Sequence, residues 1–243
     1  MNQTNDKSLN AYQKPVTLKN VILFTLPTIA MSLFMSFYTM VDGLFVSRLI
    51  GTNALSAINL TAPVISLVTA VSTMLATGGS AVIMKKMGEK KETEARQDFT
   101  SLIFVNVLVG LIMGTIGYFA MNMIFSNMKL SLEVMGYCRD YLGHYLIFTV
   151  LILLMNNFSL YLIASGKSSL SFICSVAGGI ANIILDYVFI QILEMGIGGA
   201  AVATGIGYSV TTVAGLAVFS KRKNHAALCK TLYIVFPSTE KNQ

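Results

Sequence analysis

The chain has 243 residues, of which 54% are hydrophobic and 12% charged, with a net charge of +6 and a mean hydropathy of +0.68. A soluble domain carries about 25% charged residues, so this composition excludes a soluble fold and points to an all-α integral membrane protein. In a membrane chain the basic excess marks one face and its anionic lipids, so nucleic acid is excluded as a partner.

Residues 1–20 are polar and read as a cytoplasmic segment. Six apolar stretches follow, at 21–48, 57–84, 99–125, 134–164, 169–193 and 198–219. Each meets the length of about 20 residues that one helical crossing needs. Continuous apolar runs favour helices, because barrel strands would alternate polar and apolar residues. The first run is too long for the apolar region of a signal peptide and is the first transmembrane helix. The fourth is the least regular. Between the second and third lies the one sizeable charged loop, 85–98, expected to be a solvated connector. The last residues, 220–243, form a basic tail whose short apolar run, 232–236, cannot span a bilayer.

The 17 lysines and arginines fix an orientation. Counted over the N-terminus, the second-to-third and fourth-to-fifth connections and the tail, 14 lie on one side, and only Arg48, Lys129 and Arg139 lie on the other. The positive-inside rule places both termini in the cytoplasm and requires an even number of helices. The domain limits are therefore 1–20, a six-helix lobe at 21–219, and the tail at 220–243.

Two acids interrupt the apolar runs. An ionised side chain at a helix centre is opposed by roughly 2.5–3.5 kcal/mol on insertion scales, and such residues face a protein interior or a wet cavity. At 1.5 Å per residue, Asp42 and Asp186 each lie about 9–10 Å from the non-cytoplasmic ends of their helices, as do Thr204 and Tyr141 of theirs. Asn182 lies four residues before Asp186, and Tyr38 four before Asp42, which puts each pair on one helix face. Two carboxylates close together cannot both stay ionised cheaply. One holds a proton, or a cation neutralises the pair. The pattern points to a proton or sodium site. The competing readings are that Asp42 pairs with Arg48 at the interface, that Thr204 bonds its own helix, and that Tyr38 and Tyr141 are interfacial belt residues.

Pro27 in the first helix is a hinge or a static kink, and Pro63 bends the second. Gly110 with Gly114, and Gly199 with Ala203 and Gly207, place small residues where helices can approach closely. Other chemistries fall away. The run Gly196-Ile197-Gly198-Gly199-Ala200-Ala201 mimics a dinucleotide fingerprint, but it lies between two membrane helices. No phosphate-binding loop or hydrolase motif is present, so an enzyme is not expected. His144 and His225 have no metal-ligand spacing. Cys138, Cys174 and Cys229 form no disulfide framework.

The stretch from Val41-Asp42-Gly43-Leu44-Phe45-Val46-Ser47-Arg48 to Ala54-Leu55-Ser56-Ala57 resembles the helix 1 to helix 2 signature of multidrug and toxic compound extrusion (MATE) transporters. Gly78-Gly79-Ser80, followed by Lys86-Met87-Gly88 and Glu94-Ala95, resembles the family's helix 2 and cytoplasmic loop. Asn182-Ile183-Ile184-Leu185-Asp186 and Gly196 to Thr204 resemble the helix 5 to helix 6 signature. The likeness covers residues 18–219 and implies a plasma-membrane, multi-pass antiporter that exports drugs or organic cations in exchange for Na⁺ or H⁺, with no other cofactor. By motif position, Asp42, Asn182, Asp186 and Thr204 map onto a coupling-cation site, and would be the metal ligands if the ion is Na⁺. Tyr38, Tyr141 and Asn156 map onto its surrounding network, and Pro27 onto a hinge. Family members have twelve helices in two lobes. This chain corresponds to one, read as a truncated lobe with an interrupted linker, a half that pairs with a second lobe, or a homodimer. The alternatives are an inactive or regulatory lobe, and a lipid-linked oligosaccharide flippase of the same superfamily, for which no basic residue appears at cavity depth.

Overall fold

The computed structural model describes residues 17–220. The expected N-terminal segment and basic tail, with His225 and Cys229, therefore lie almost wholly outside the described residues. Seven α-helices are present among them: α1 Leu18–Leu49, α2 Thr52–Gly88, α3 Glu92–Ser126, α4 Leu132–Ile147, α5 Thr149–Ala164, α6 Ser168–Asp186 and α7 Gly196–Ser220. A π-helical stretch, Tyr187–Ile192, continues α6. Five spans are long and apolar enough to cross a membrane, or six if α4 and α5 are one bent span.

The fourth stretch is two helices rather than one, bent by 55°. No proline causes the bend. The Thr149 hydroxyl donates to the Leu146 carbonyl at 2.7 Å, and the Phe148 N–H reaches Tyr145 rather than a residue four back. A side chain that occupies a helical carbonyl is a recognised cause of a kink. Proline alone does not break the other helices: α1 runs unbroken through Pro27, and α2 through Pro63.

The expected charged loop at 85–98 is a correction. The helices α2 and α3 extend into it from both sides and leave only 89–91 between them. Lys90 turns the chain with φ 61°. Lys86 on α2 bonds Asp98 at 2.7 Å and Glu94 at 3.5 Å on α3. Charge alone reads as a loop. These charges instead decorate two helix ends that project past the apolar zone. The end of the bundle that carries Lys19, Lys85, Lys86, Lys90, Lys91, Arg96 and Lys167 is called the basic end below.

Packing radiates from α6, which lies against α1 on one side and α7 on the other, while α5 bridges α2, α3 and α7. The main core joins Val46, Phe125, Leu142, Leu153 and Ile197. A smaller one at the basic end sets Phe99 against Tyr161, with ring centres 4.6 Å apart and the planes tilted by 39°, and Phe158 meets Phe99 edge-on. Outward positions are apolar, as lipid requires: Leu33, Phe119, Ile173 and Ile184 are all exposed.

Glycines set the closest approaches. A Cβ on Gly178 would stand 2.6 Å from the Gly207 carbonyl oxygen, and one on Gly207 would stand 2.8 Å from that of Gly178. The backbones of α6 and α7 therefore touch. Gly110 and Gly114 likewise seat α3 against Val150 and the Leu146 carbonyl at the α4–α5 bend. Close backbone approach through small residues is the ordinary packing device of membrane helices. Substituting Gly207→Val should destabilise the purified chain by roughly 1–3 kcal/mol, the usual range for overpacking. A lowered melting temperature in detergent checks this, with Gly136→Ala, whose Cβ would meet nothing within 4 Å, as the unaffected control.

Candidate cation site

Asp42 on α1 and Asp186 at the last turn of α6 lie close enough to act on each other electrostatically. Asp186 is fully buried. Neither of its carboxylate oxygens has a hydrogen-bond partner, and nor does Asp42 Oδ1. The alternative pairing of Asp42 with Arg48 does not form among the described ion pairs.

Asn182, one turn before Asp186, adds a third orphaned group. Its amide nitrogen donates to Thr204 Oγ1 at 3.3 Å, while its Oδ1 is buried without a partner. Thr204 in turn donates to the Ala200 carbonyl at 3.0 Å, so its hydroxyl serves its own helix and still accepts from α6. Buried acceptors are normally paired. Four unmet oxygens from three residues, two of them carboxylates, form a strongly electronegative pocket. A cation, or protons on the carboxylates, would satisfy them.

Three tyrosines wall the pocket. Tyr141 on α4 lies close to both carboxylates. The Tyr38 hydroxyl stands 3.5 Å from that of Tyr208 on α7. Both Tyr38 and Tyr141 are buried, so neither is a belt residue in this bundle. Tyr208 went unremarked in the sequence, although it follows Thr204 by four residues and so shares its helix face. Asn156, also expected in this network, makes a contact farther along the bundle. Its amide donates at 2.8 Å to Ser72 Oγ and joins α5 to α2.

Below the acids, toward the basic end, lies a cavity of about 20 Å³, lined in part by Tyr38, Ser175, Asn182, Thr204, Tyr208 and Thr211. That is room for one water. Beyond Asp186 the chain widens into the π-helical stretch and then reverses through Glu194, at φ 51°, and Gly196, at φ 62°. Single π turns recur at functional sites. The turn brings the start of α7 under α4. There Asp140 Oδ2 accepts from the Gly198 N–H at 3.1 Å, and His144 Nδ1 lies 3.1 Å from Asp140 Oδ1. A carboxylate at a helix N-terminus satisfies free N–H groups and complements the dipole. This clamp fixes the helix of Tyr141 against the helix of Thr204.

Comparison with known proteins fits this lobe. The profile of the MatE family matches residues 27–188, about two thirds of the chain. The chain belongs to the MatE family. It is 26% identical over 217 residues to the multidrug export protein MepA of Staphylococcus haemolyticus, covering 89% of this chain and 48% of that protein. It is 24% identical to MepA of Staphylococcus saprophyticus, covering 97% of this chain and 52% of that protein. Among solved structures, a MATE protein in complex with MaL6 superposes with a TM-score of 0.78 at 25% identity, over 86% of this chain and 46% of that one. A MATE protein in a bent conformation superposes with a TM-score of 0.79 at 23% identity, over 91% of this chain and 49% of that one, which shows the shared fold. The chain spans about half the length of the curated relatives it matches. It is a multi-pass membrane protein whose bundle matches one lobe of MATE structures.

The clamp makes a simple prediction. Replacing Asp140→Ala removes the acceptor from the α7 N-terminus and should lower stability by about 0.5–1 kcal/mol, the weaker part of the capping range because the group is half exposed. A melting series in detergent, comparing Asp140→Ala with Asp140→Asn, measures it. The asparagine variant keeps an acceptor oxygen and should lose less.

Proposed function

We propose that the chain is the cation-coupling half of a secondary efflux transporter, which exchanges H⁺ or Na⁺ for drugs or organic cations. The observation that carries the reading is the pair of neighbouring, unpartnered carboxylates held inside a bundle of the MatE family. Asp42 and Asp186 bind the coupling ion. Asn182 and Thr204 contribute neutral oxygens, and Tyr38, Tyr141 and Tyr208 close the pocket. The names of the staphylococcal relatives, multidrug export proteins, support drugs as the cargo.

The gathering of basic residues at one end of the bundle supports a cytoplasmic assignment for that end and for both termini. The acid pair then sits in the outer half of the membrane. Alternating access requires two bodies that rock against each other, so this lobe works with a second six-helix body, either a separate half or a copy of itself. The exposed hydroxyl row on α2, Ser66, Thr69, Thr73 and Thr77, favours this over lipid on every side. Pro27 serves as the hinge through which occupancy of Asp42 reaches the basic end of α1.

Ethidium efflux from drug-sensitive cells that express the chain tests the reading. Export by wild type that is lost in Asp42→Asn and in Asp186→Asn is the expected result. Export that continues unchanged in both variants, with the proteins present in the membrane, contradicts it.

A further inference from the structure

The half of α1 nearer the basic end is the most loosely seated part of the bundle. None of its described side chains from 18 to 37 is buried. Phe34 and Met31 reach α6 from this half. The Phe34 ring lies against Gly179, where an added Cβ would stand 2.6 Å from Phe34 Cε1. Met31, three residues nearer the basic end, sets its sulfur among hydroxyls. Ser175 donates to it at 3.3 Å, Ser171 at 3.8 Å and Ser159, from α5, at 3.9 Å. All three serines are buried, and Ser171 and Ser175 share with Ser168 one face of α6. No other methionine sulfur accepts a hydrogen bond among the described residues.

The donors here outmatch the acceptor. A thioether sulfur is a weak acceptor, yet three hydroxyls from two helices converge on it. Ser175 makes no other hydrogen bond among those described. Ser159 Oγ lies 2.7 Å from Ser171 Oγ, so one of this pair donates to the other. The second proton of the pair is left for the sulfur, or for the Ser159 carbonyl, 3.2 Å from Ser171 Oγ. Two protons can therefore be aimed at the tip of Met31. Oxidation turns a methionine from an apolar side chain into a polar one and ordinarily disrupts the core around it. The surroundings of Met31 are the reverse of ordinary, because they already hold the donors that a sulfoxide oxygen needs. The sulfur sits on an unbranched side chain with three rotatable bonds, which can shift to admit one more atom.

We propose that Met31 is a redox modification site, and that Ser159, Ser171 and Ser175 receive its sulfoxide as a tighter clamp of α1 on α5 and α6. The oxidant is a peroxide. Its O–O bond breaks, an S–O bond forms, the sulfur gives up two electrons, and hydrogen peroxide leaves as water. Met31 is only partly buried, which gives a molecule of that size a path to the sulfur. The new oxygen accepts from Ser175 and from Ser171, and Ser159 donates to Ser171 behind it. Reduction of the sulfoxide, which dedicated reductases carry out, restores the weak contact, so the clamp is reversible. The clamp fixes the loosely seated half of α1 without touching the acids, and the inference does not depend on their binding a cation.

The test treats the purified full chain in detergent with hydrogen peroxide. Mass spectrometry of its peptides reads the oxygen gained at each methionine, and the melting temperature is taken before and after. Met40, Met74 and Met123 are well exposed and will oxidise too. Met31→Leu, treated alike, subtracts their effect. Met31 should gain one oxygen. The peroxide-induced shift in melting temperature should then be more positive in wild type than in Met31→Leu, by about 2–4 °C for a chain of this size. With Ser171→Ala and Ser175→Ala together, the same oxidation should lower the melting temperature, because the oxygen is then left without its donors. Ser175→Ala alone serves if the double variant does not fold. A Met31 that stays reduced while Met40 and Met74 oxidise would overturn the proposal. So would an oxidised wild type whose shift is no higher than that of Met31→Leu, or is as low as that of the serine variant.

Discussion

An acid pair without a counter-charge governs this structure. Asp186 is sealed from solvent, lies near Asp42 and has no hydrogen-bond partner for either oxygen. A buried charge with no partner is among the most unfavourable arrangements a fold can contain. No lysine or arginine relieves it among the described ion pairs, and the nearest amide donates elsewhere. A proton or a small cation would neutralise such a pocket. The rest of the lobe packs closely around the pair. The Gly178–Gly207 contact draws α6 and α7 together, and the Asp140–Gly198 clamp holds α4 over the start of α7.

Lipid on the outside explains why the polar side chains turn inward, beside a core that is itself largely apolar. In water, a helix hides its apolar face. In lipid, the outer face carries isoleucine and leucine, and the serines, asparagines and acids turn inward. The helix α6 carries this inversion furthest. It supplies one of the two acids, the asparagine beside it and the serine row below, and it packs against α1 and α7, which supply the rest of the pocket. Asp42 lies on the helix that also carries Pro27 and Met31. One element thereby links the pocket to the basic end.

Much of this was legible in the residues. Asp42 and Asp186 stood out because an acid in a long apolar run needs a reason, and counting 1.5 Å per residue put them at one depth with Thr204 and Tyr141. The irregular fourth stretch was visible as such, but its break at Phe148 depends on a hydroxyl–carbonyl bond that composition does not reveal. Residues 85–98 read as a loop because charge marks solvent, not conformation. The helices simply continue beyond the apolar zone and pair their charges across the turn. Asn156 was drawn toward the acids by motif position, whereas the geometry gives its amide to Ser72. The serines of α6 passed unnoticed because small hydroxyl residues are common in membrane helices. Only their shared burial on one face sets them apart.

The account stands or falls on whether the pocket binds a small cation through its two acids. The most direct measurement is the melting temperature of the purified chain in detergent, with sodium varied at fixed pH and pH varied at fixed salt, for wild type and Asp186→Asn. A ligand at a hundred times its dissociation constant stabilises the state that binds it by about 2.7 kcal/mol. The account predicts that sodium or added protons raise the wild-type melting temperature and leave the variant unmoved. A wild type indifferent to both, or a variant that responds as the wild type does, would contradict it.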